Sequence, residues 1–146
     1  MGNAYRFRDE IALGDLAFEA TGDSLSELFT AGALAVIEAM VDPQSVEMNR
    51  THEVRLSEAG IEDLLFEWLN AIVFIKDADG AVFHDVRAVV SRDSEKAVWL
   101  LEGTLIGDRI DATRQALRTD VKAVTKHLYE VKQKEGIWHA HVVLDV

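Results

Sequence analysis

The sequence predicts an α+β domain, a mainly antiparallel sheet with two amphipathic helices packed on one face. Three observations predict it. Two stretches repeat apolar residues at the three-four spacing of a one-sided helix. Most of the remaining chain alternates apolar and polar residues over short runs, as half-buried strands do. Turn residues separate these runs, with no linker, low-complexity tract or solenoid repeat among them. At 146 residues and 49% apolar content, residues 1–146 suit a single domain with a proper core.

The first strands are Tyr5-Arg6-Phe7-Arg8 and Leu16–Ala20, flanking a short irregular stretch. Ser24-Leu25-Ser26-Glu27 then reads as a capping box, in which hydroxyl and carboxylate each satisfy a free helix N–H. Leu25, Leu28, Phe29, Ala33, Val36, Ile37 and Met40 give that helix one apolar face, and Asp42-Pro43 ends it. His52–Leu56 is the next strand. The second helix is predicted from about Gly60 to Lys76, with Ile61, Leu64, Leu65, Trp68, Leu69, Ile72 and Val73 inward. Glu62 and Asp63 suit the positive end of its dipole. Asp77-Ala78-Asp79-Gly80 reads as a turn leaving the helix, since it lacks the downstream glutamate of a calcium loop. A hairpin of Ala81–Ser91 and Ala97–Ile106 turns at Arg92-Asp93-Ser94-Glu95. Gly107–Thr119 has no clear period and is expected as an ordered loop. A second hairpin, Val121–Lys132 and Ile137–Val146, turns around Gln133-Lys134-Glu135-Gly136.

The net charge of −11 argues against broad nucleic-acid binding, which needs a basic footprint, but suits a basic protein partner. The absence of cysteine removes disulfides, thiolate metal sites and thiol nucleophiles. No apolar run reaches the length of a membrane span, and Met1–Arg6 does not resemble a secretory signal, so a cytoplasmic protein is expected. No phosphate-binding glycine loop occurs: Gly103-Thr104-Leu105-Ile106-Gly107 lacks both the lysine and the strand–loop–helix context.

The last strand, Trp138–Val146, keeps its apolar alternation to Val146, with Asp145 beside it. Carboxylates held side by side on rigid backbone share a proton or hold a cation. If Lys132 pairs with Ile137, antiparallel register puts Val124 opposite Asp145 and brings Lys122 to the same face. His139 and His141 share the parity of Asp145 and are expected on a sheet surface. Taken alone, Asp15 after Gly14 reads as a turn residue before a strand.

Four ordered blocks resemble a known family. They are Tyr5-Arg6-Phe7 with Asp15–Leu25, Leu64–Asn70, Val121-Lys122-Ala123-Val124-Thr125-Lys126-His127, and Leu144-Asp145-Val146. Together they resemble the archease family, essentially end to end. The resemblance implies a metal-binding protein cofactor, not itself an enzyme, that activates a GTP-dependent RNA ligase of the RtcB tRNA-splicing type. In that family the cofactor promotes guanylylation and turnover of the ligase. It also implies a divalent cation, calcium or magnesium, held by Asp15, Asp145 and the carboxylate of Val146, with Lys122 matching a functional lysine. Where the family reads His-Thr-Ala-Asp, this chain reads Ala12-Leu13-Gly14-Asp15; the loop histidine falls near Gln115, and Lys126 replaces a tyrosine. Two other functions fit the residues. A metal-dependent hydrolase or phosphatase of small substrates would use Asp15 and Asp145 as ligands and Lys122 against substrate charge. A chaperone-like binding module would need no metal.

Overall fold

The computed structural model describes residues 2–8 and 14–146. The elements run β1 (Ala4–Arg8), β2 (Asp15–Gly22), α1 (Leu25–Met40), β3 (Arg50–Glu58), α2 (Ile61–Asp79), β4 (Ala81–Asp93), β5 (Val98–Arg109), β6 (Ala123–Lys134) and β7 (Ile137–Asp145). All pairings are antiparallel, and the α+β class holds. The strands divide into two sheets, ordered β1-β2-β7-β6 and β3-β5-β4. Each helix packs against strands of both sheets, so the helix pair seams them together. Among the described residues no helix is long and apolar enough to cross a membrane.

Local chemistry sets the helix limits. The Ser24 hydroxyl accepts the Glu27 N–H at 3.1 Å, the first half of the predicted capping box. Helix α1 ends when Val41 turns extended, and the Asp42 carboxylate then caps a single 3₁₀ turn begun by Pro43. Helix α2 runs beyond its predicted end: Asp77, Ala78 and Asp79 complete its last turn, and Gly80 terminates it in the left-handed region at φ 58°. The turn expected at Asp77 therefore lies at Gly80.

Trp68 fixes the centre of the core. Its side chain is fully buried, and its indole N–H donates to the Phe29 carbonyl on α1 at 3.0 Å. The ring lies against Gly103 of β5, where a Cβ would sit 2.5 Å from two ring carbons. A side chain at 103 and the indole at 68 cannot occupy that space together.

The β6–β7 hairpin departs from expectation at two places. Its turn is two residues, Glu135-Gly136, with positive φ at both (53° and 83°), so Lys134 rather than Lys132 pairs with Ile137. A bulge then interrupts β6 between Thr125 and Glu130, within which Leu128 has φ 54°. Turn and bulge pull the register in opposite directions. The result sets Ala123, not Val124, opposite Asp145, and Val124 faces the core opposite Leu144.

The segment after β5 is irregular, as expected, but tightly bonded. Buried Gln115 accepts the Asp111 N–H and donates to the Arg109 carbonyl. Hydrogen bonds from Thr113, then Arg114, hold the Asp111 carboxyl down at about 2. Gln115 thus shapes its own loop.

Candidate metal end

The second and last strands, the two inner strands of the four-stranded sheet, bring their acidic residues together at one end of it. Register between β2 and β7 runs from Gly22 opposite Trp138 to Asp15 opposite Asp145. Alternation sends Leu16, Phe18 and Ala20 inward against Leu144, Val142 and Ala140. The same alternation puts Asp15 and Asp145 on the outer face as direct cross-strand neighbours.

Their spacing follows from the backbone bonds. The Val146 N–H donates to the Gly14 carbonyl at 2.8 Å, which makes Gly14 and Val146 the hydrogen-bonded pair. The next pair, Asp15 and Asp145, is then of the non-hydrogen-bonded kind, in which opposed side chains stand closest. Two carboxylates in that position repel one another. Among the described residues neither has a hydrogen bond or ion pair to offset this repulsion. Oxygen donors held together on paired strands, with Val146 tied beside them, fit a hard divalent cation. They do not by themselves complete a shell: no three His, Asp or Glu side chains converge among the described residues.

Lys122 stands one residue before β6. Its backbone N–H donates to the Asp145 carbonyl at 2.8 Å, tying the segment to the chain end. The predicted sharing of a face fails, because the register differs by one residue from that assumed and Lys122 precedes the strand. Its exposed side chain makes no ion pair among the described residues. Ala12 and Leu13 of the altered motif lie outside the described residues.

Two polar features escaped sequence reasoning. Lys76 is buried, with Nζ 2.6 Å from Asp120, 2.7 Å from Asp77 and 2.8 Å from the Val121 carbonyl. It anchors the segment leading to Lys122 onto α2, where Asn70 also accepts the Val124 N–H. A lysine late in a helix usually signals solvent, so nothing local announces this burial. The second feature is the carbonyl of Leu128, which lies 2.8 Å from Nδ1 of His141.

The architecture so far defines a class: a small α+β protein whose two helices seam antiparallel sheets, with an acidic corner joining its first and last blocks. Comparison with known proteins gives the particular family. Residues 5–146 match the archease protein family (MTH1598/TM1083). The archease of Archaeoglobus fulgidus is 34% identical over 143 residues, covering 97% of this chain and 98% of that protein. The archease of Methanosarcina barkeri is 28% identical over 145 residues, 99% of this chain and 97% of its own. Among solved structures, Methanobacterium thermoautotrophicum protein 1598 superposes with a TM-score of 0.80 at 32% identity, covering 97% of this chain and 98% of that one. A Thermotoga maritima archease, described as a possible chaperone, shares the fold with a TM-score of 0.61 at 21% identity, over 97% and 98% of the two chains. The chain belongs to the archease family.

Proposed function

We propose that the protein is a metal-dependent activator of a GTP-dependent RNA-splicing ligase, and that its acidic corner is the working end. The observation that carries this reading is the direct opposition of Asp15 and Asp145 in the closer kind of cross-strand pair. Folding alone does not favour that pairing, whereas a cation between the carboxylates would convert repulsion into cohesion. Asp15, Asp145 and the carboxylate of Val146 would hold calcium or magnesium, and Lys122 would supply a cationic side chain beside them. A bound cation of this kind supplies positive charge for phosphate oxygens or acidic groups on a partner. The chain's own contribution is positional. Val146 is tied to Gly14, Lys122 to Asp145, and Lys76 holds the approach to Lys122 against α2.

Family membership supports the ligase as the partner. The test adds purified protein to an RtcB-type ligase with GTP and a divalent ion, and measures guanylylation and multiple-turnover ligation. The wild-type chain should stimulate both, and Asp145→Asn should bind the ligase yet stimulate at least about tenfold less. No stimulation by the wild-type chain at any calcium or magnesium concentration overturns the proposal. Suppression of aggregation of an unfolded client, unaffected by Asp145→Asn, would favour a chaperone instead.

A further inference from the structure

The outer face that carries the acidic corner continues along the same strands into a second polar array. Its next row, Ala17 opposite Val143, is fully buried. Beyond it His141 sits between Glu19 on β2 and Glu130 on β6, and His139 between Thr21 and Lys132. The two histidines floor an open cleft of about 810 Å³, walled by Arg6, Leu128, Lys132 and Lys134. Asp145 lies four steps along the strand from His141, about 13 Å. The array is therefore separate from the acidic corner.

Three details give this cleft a chemistry. His139 and His141 are two residues apart on a regular strand, so their rings project from one face with Cα atoms about 7 Å apart. The His141 ring is oriented: Nδ1 lies 2.8 Å from the Leu128 carbonyl oxygen, which can only accept, so Nδ1 carries the proton and the neutral ring keeps Nε2 bare. Donation from the far ring nitrogen to a backbone carbonyl is the supporting bond that metal-ligating histidines make. The carbonyl is presented by a bulge that holds a leucine at φ 54°, a conformation such side chains adopt only at a cost. His139 has no hydrogen bond or ion pair among the described residues.

We propose that His139 and His141, joined by Glu130, bind a borderline transition-metal ion such as zinc on the outer sheet face. Imidazole nitrogen selects zinc, copper or nickel, whereas the oxygen donors of the acidic corner select calcium or magnesium. Glu130 is the available carboxylate: it stands directly opposite His141, and its contact is with Lys132 at 3.3 Å, both side chains more than half exposed. Glu19, the other neighbour, is held by Arg6 at 2.9 Å and Arg8 at 3.3 Å. Among the described residues no three ligating side chains converge as they stand, so Glu130 closes on the ion by rotating away from Lys132. Water from the open cleft completes the tetrahedral shell.

Isothermal titration of zinc and, separately, calcium into the full-length chain tests this, with His139→Ala, His141→Ala, Glu130→Gln and Asp15→Asn in parallel. Far-UV circular dichroism confirms that each variant folds. One zinc should bind in a histidine-dependent step, weakened at least about tenfold in either histidine variant and less in Glu130→Gln. Asp15→Asn should leave that step unchanged, and calcium binding should survive both histidine substitutions. Zinc binding that is absent from the wild-type chain, indifferent to both histidines, or lost with Asp15→Asn overturns the proposal. Failure of the acidic corner to bind calcium would overturn the reading of that corner and leave this one standing.

Discussion

The two sheets share one helix layer but differ in what their outward faces carry. On the three-stranded sheet, register sets opposite charges across strands, Arg55 of β3 facing Glu102 of β5. Near the end of β5 in that sheet, buried Asp108 is satisfied by Asn49, Arg114 and the Arg109 N–H. On the four-stranded sheet Asp15 faces Asp145, and a leucine is held at positive φ to meet a histidine. The first arrangement is what folding selects for itself. The second is one that folding tolerates, which marks its outer face as the part shaped by binding.

The comparison breaks most severely if the packed half is damaged. Trp68→Ala should cost about 3–5 kcal/mol, since it removes a fully buried ring together with its indole hydrogen bond to the Phe29 carbonyl. Urea denaturation measures this. Gly103→Ala should also destabilise, by about 1–3 kcal/mol, because its methyl enters space held by the Trp68 ring. Below the unfolding transition both variants should retain divalent-ion binding at the acidic corner. Loss of binding in a folded variant would show that the two halves are not separable.

Lys76 tests the joint between the halves. Burial is the largest single influence on its amine and lowers its pKa, but hydrogen bonds with Asp120 and Asp77 outweigh it, leaving the group raised above the ordinary lysine value. Its contribution is therefore fully present at neutral pH and is lost as pH rises past about 10.4, the unfolded lysine value, and through the raised folded value. Lys76→Met should lose about 1–2 kcal/mol at pH 7, because both partner carboxylates are exposed and can return to water. In alkaline unfolding curves the difference between wild type and variant should shrink. A constant difference up to pH 12 would contradict this role.

The acidic corner predicts the opposite sign. Without divalent ions Asp145→Asn should stabilise the chain by about 0.2–1 kcal/mol by relieving the repulsion with Asp15. With calcium in excess the wild type should gain stability that the variant does not. Thermal melts with chelator and with calcium measure both, and a destabilised variant in chelator would sink the repulsion argument.

How far the sequence carried the reading depends on whether each feature is local. Helix starts were legible because the Ser24 cap and the apolar period are written within a few residues. The meeting of Asp15 with Asp145 was legible only through the family resemblance, because local sequence reads Asp15 as a turn residue and says nothing of its partner strand. The division into two sheets was not, because strand partners are chosen by helix packing far along the chain. The position of Lys122 was misjudged for a related reason: hairpin register depends on turn length and on a bulge that no composition signal announces. The burial of Lys76 rests on Asp120, a partner 44 residues away.

The smallest predicted effect concerns that hairpin. Its turn places Glu135 at φ 53° and Gly136 at φ 83°, the paired left-handed positions of a type I′ turn. Glycine takes its position freely, but glutamate does not, and asparagine is the residue that favours the first position. Glu135→Asn should therefore stabilise the chain by about 0.5 kcal/mol, visible as a small rise in the urea midpoint with unchanged slope. The strain at Leu128 lies in the same hairpin, on β6, yet Leu128→Gly should behave differently. It relieves the same kind of backbone cost but loosens the carbonyl that orients His141, so zinc binding should weaken while Glu135→Asn leaves it unchanged. If both substitutions stabilise and neither affects zinc, the bulge is only a folding irregularity, and the contrast between the two sheets rests on the acidic corner alone.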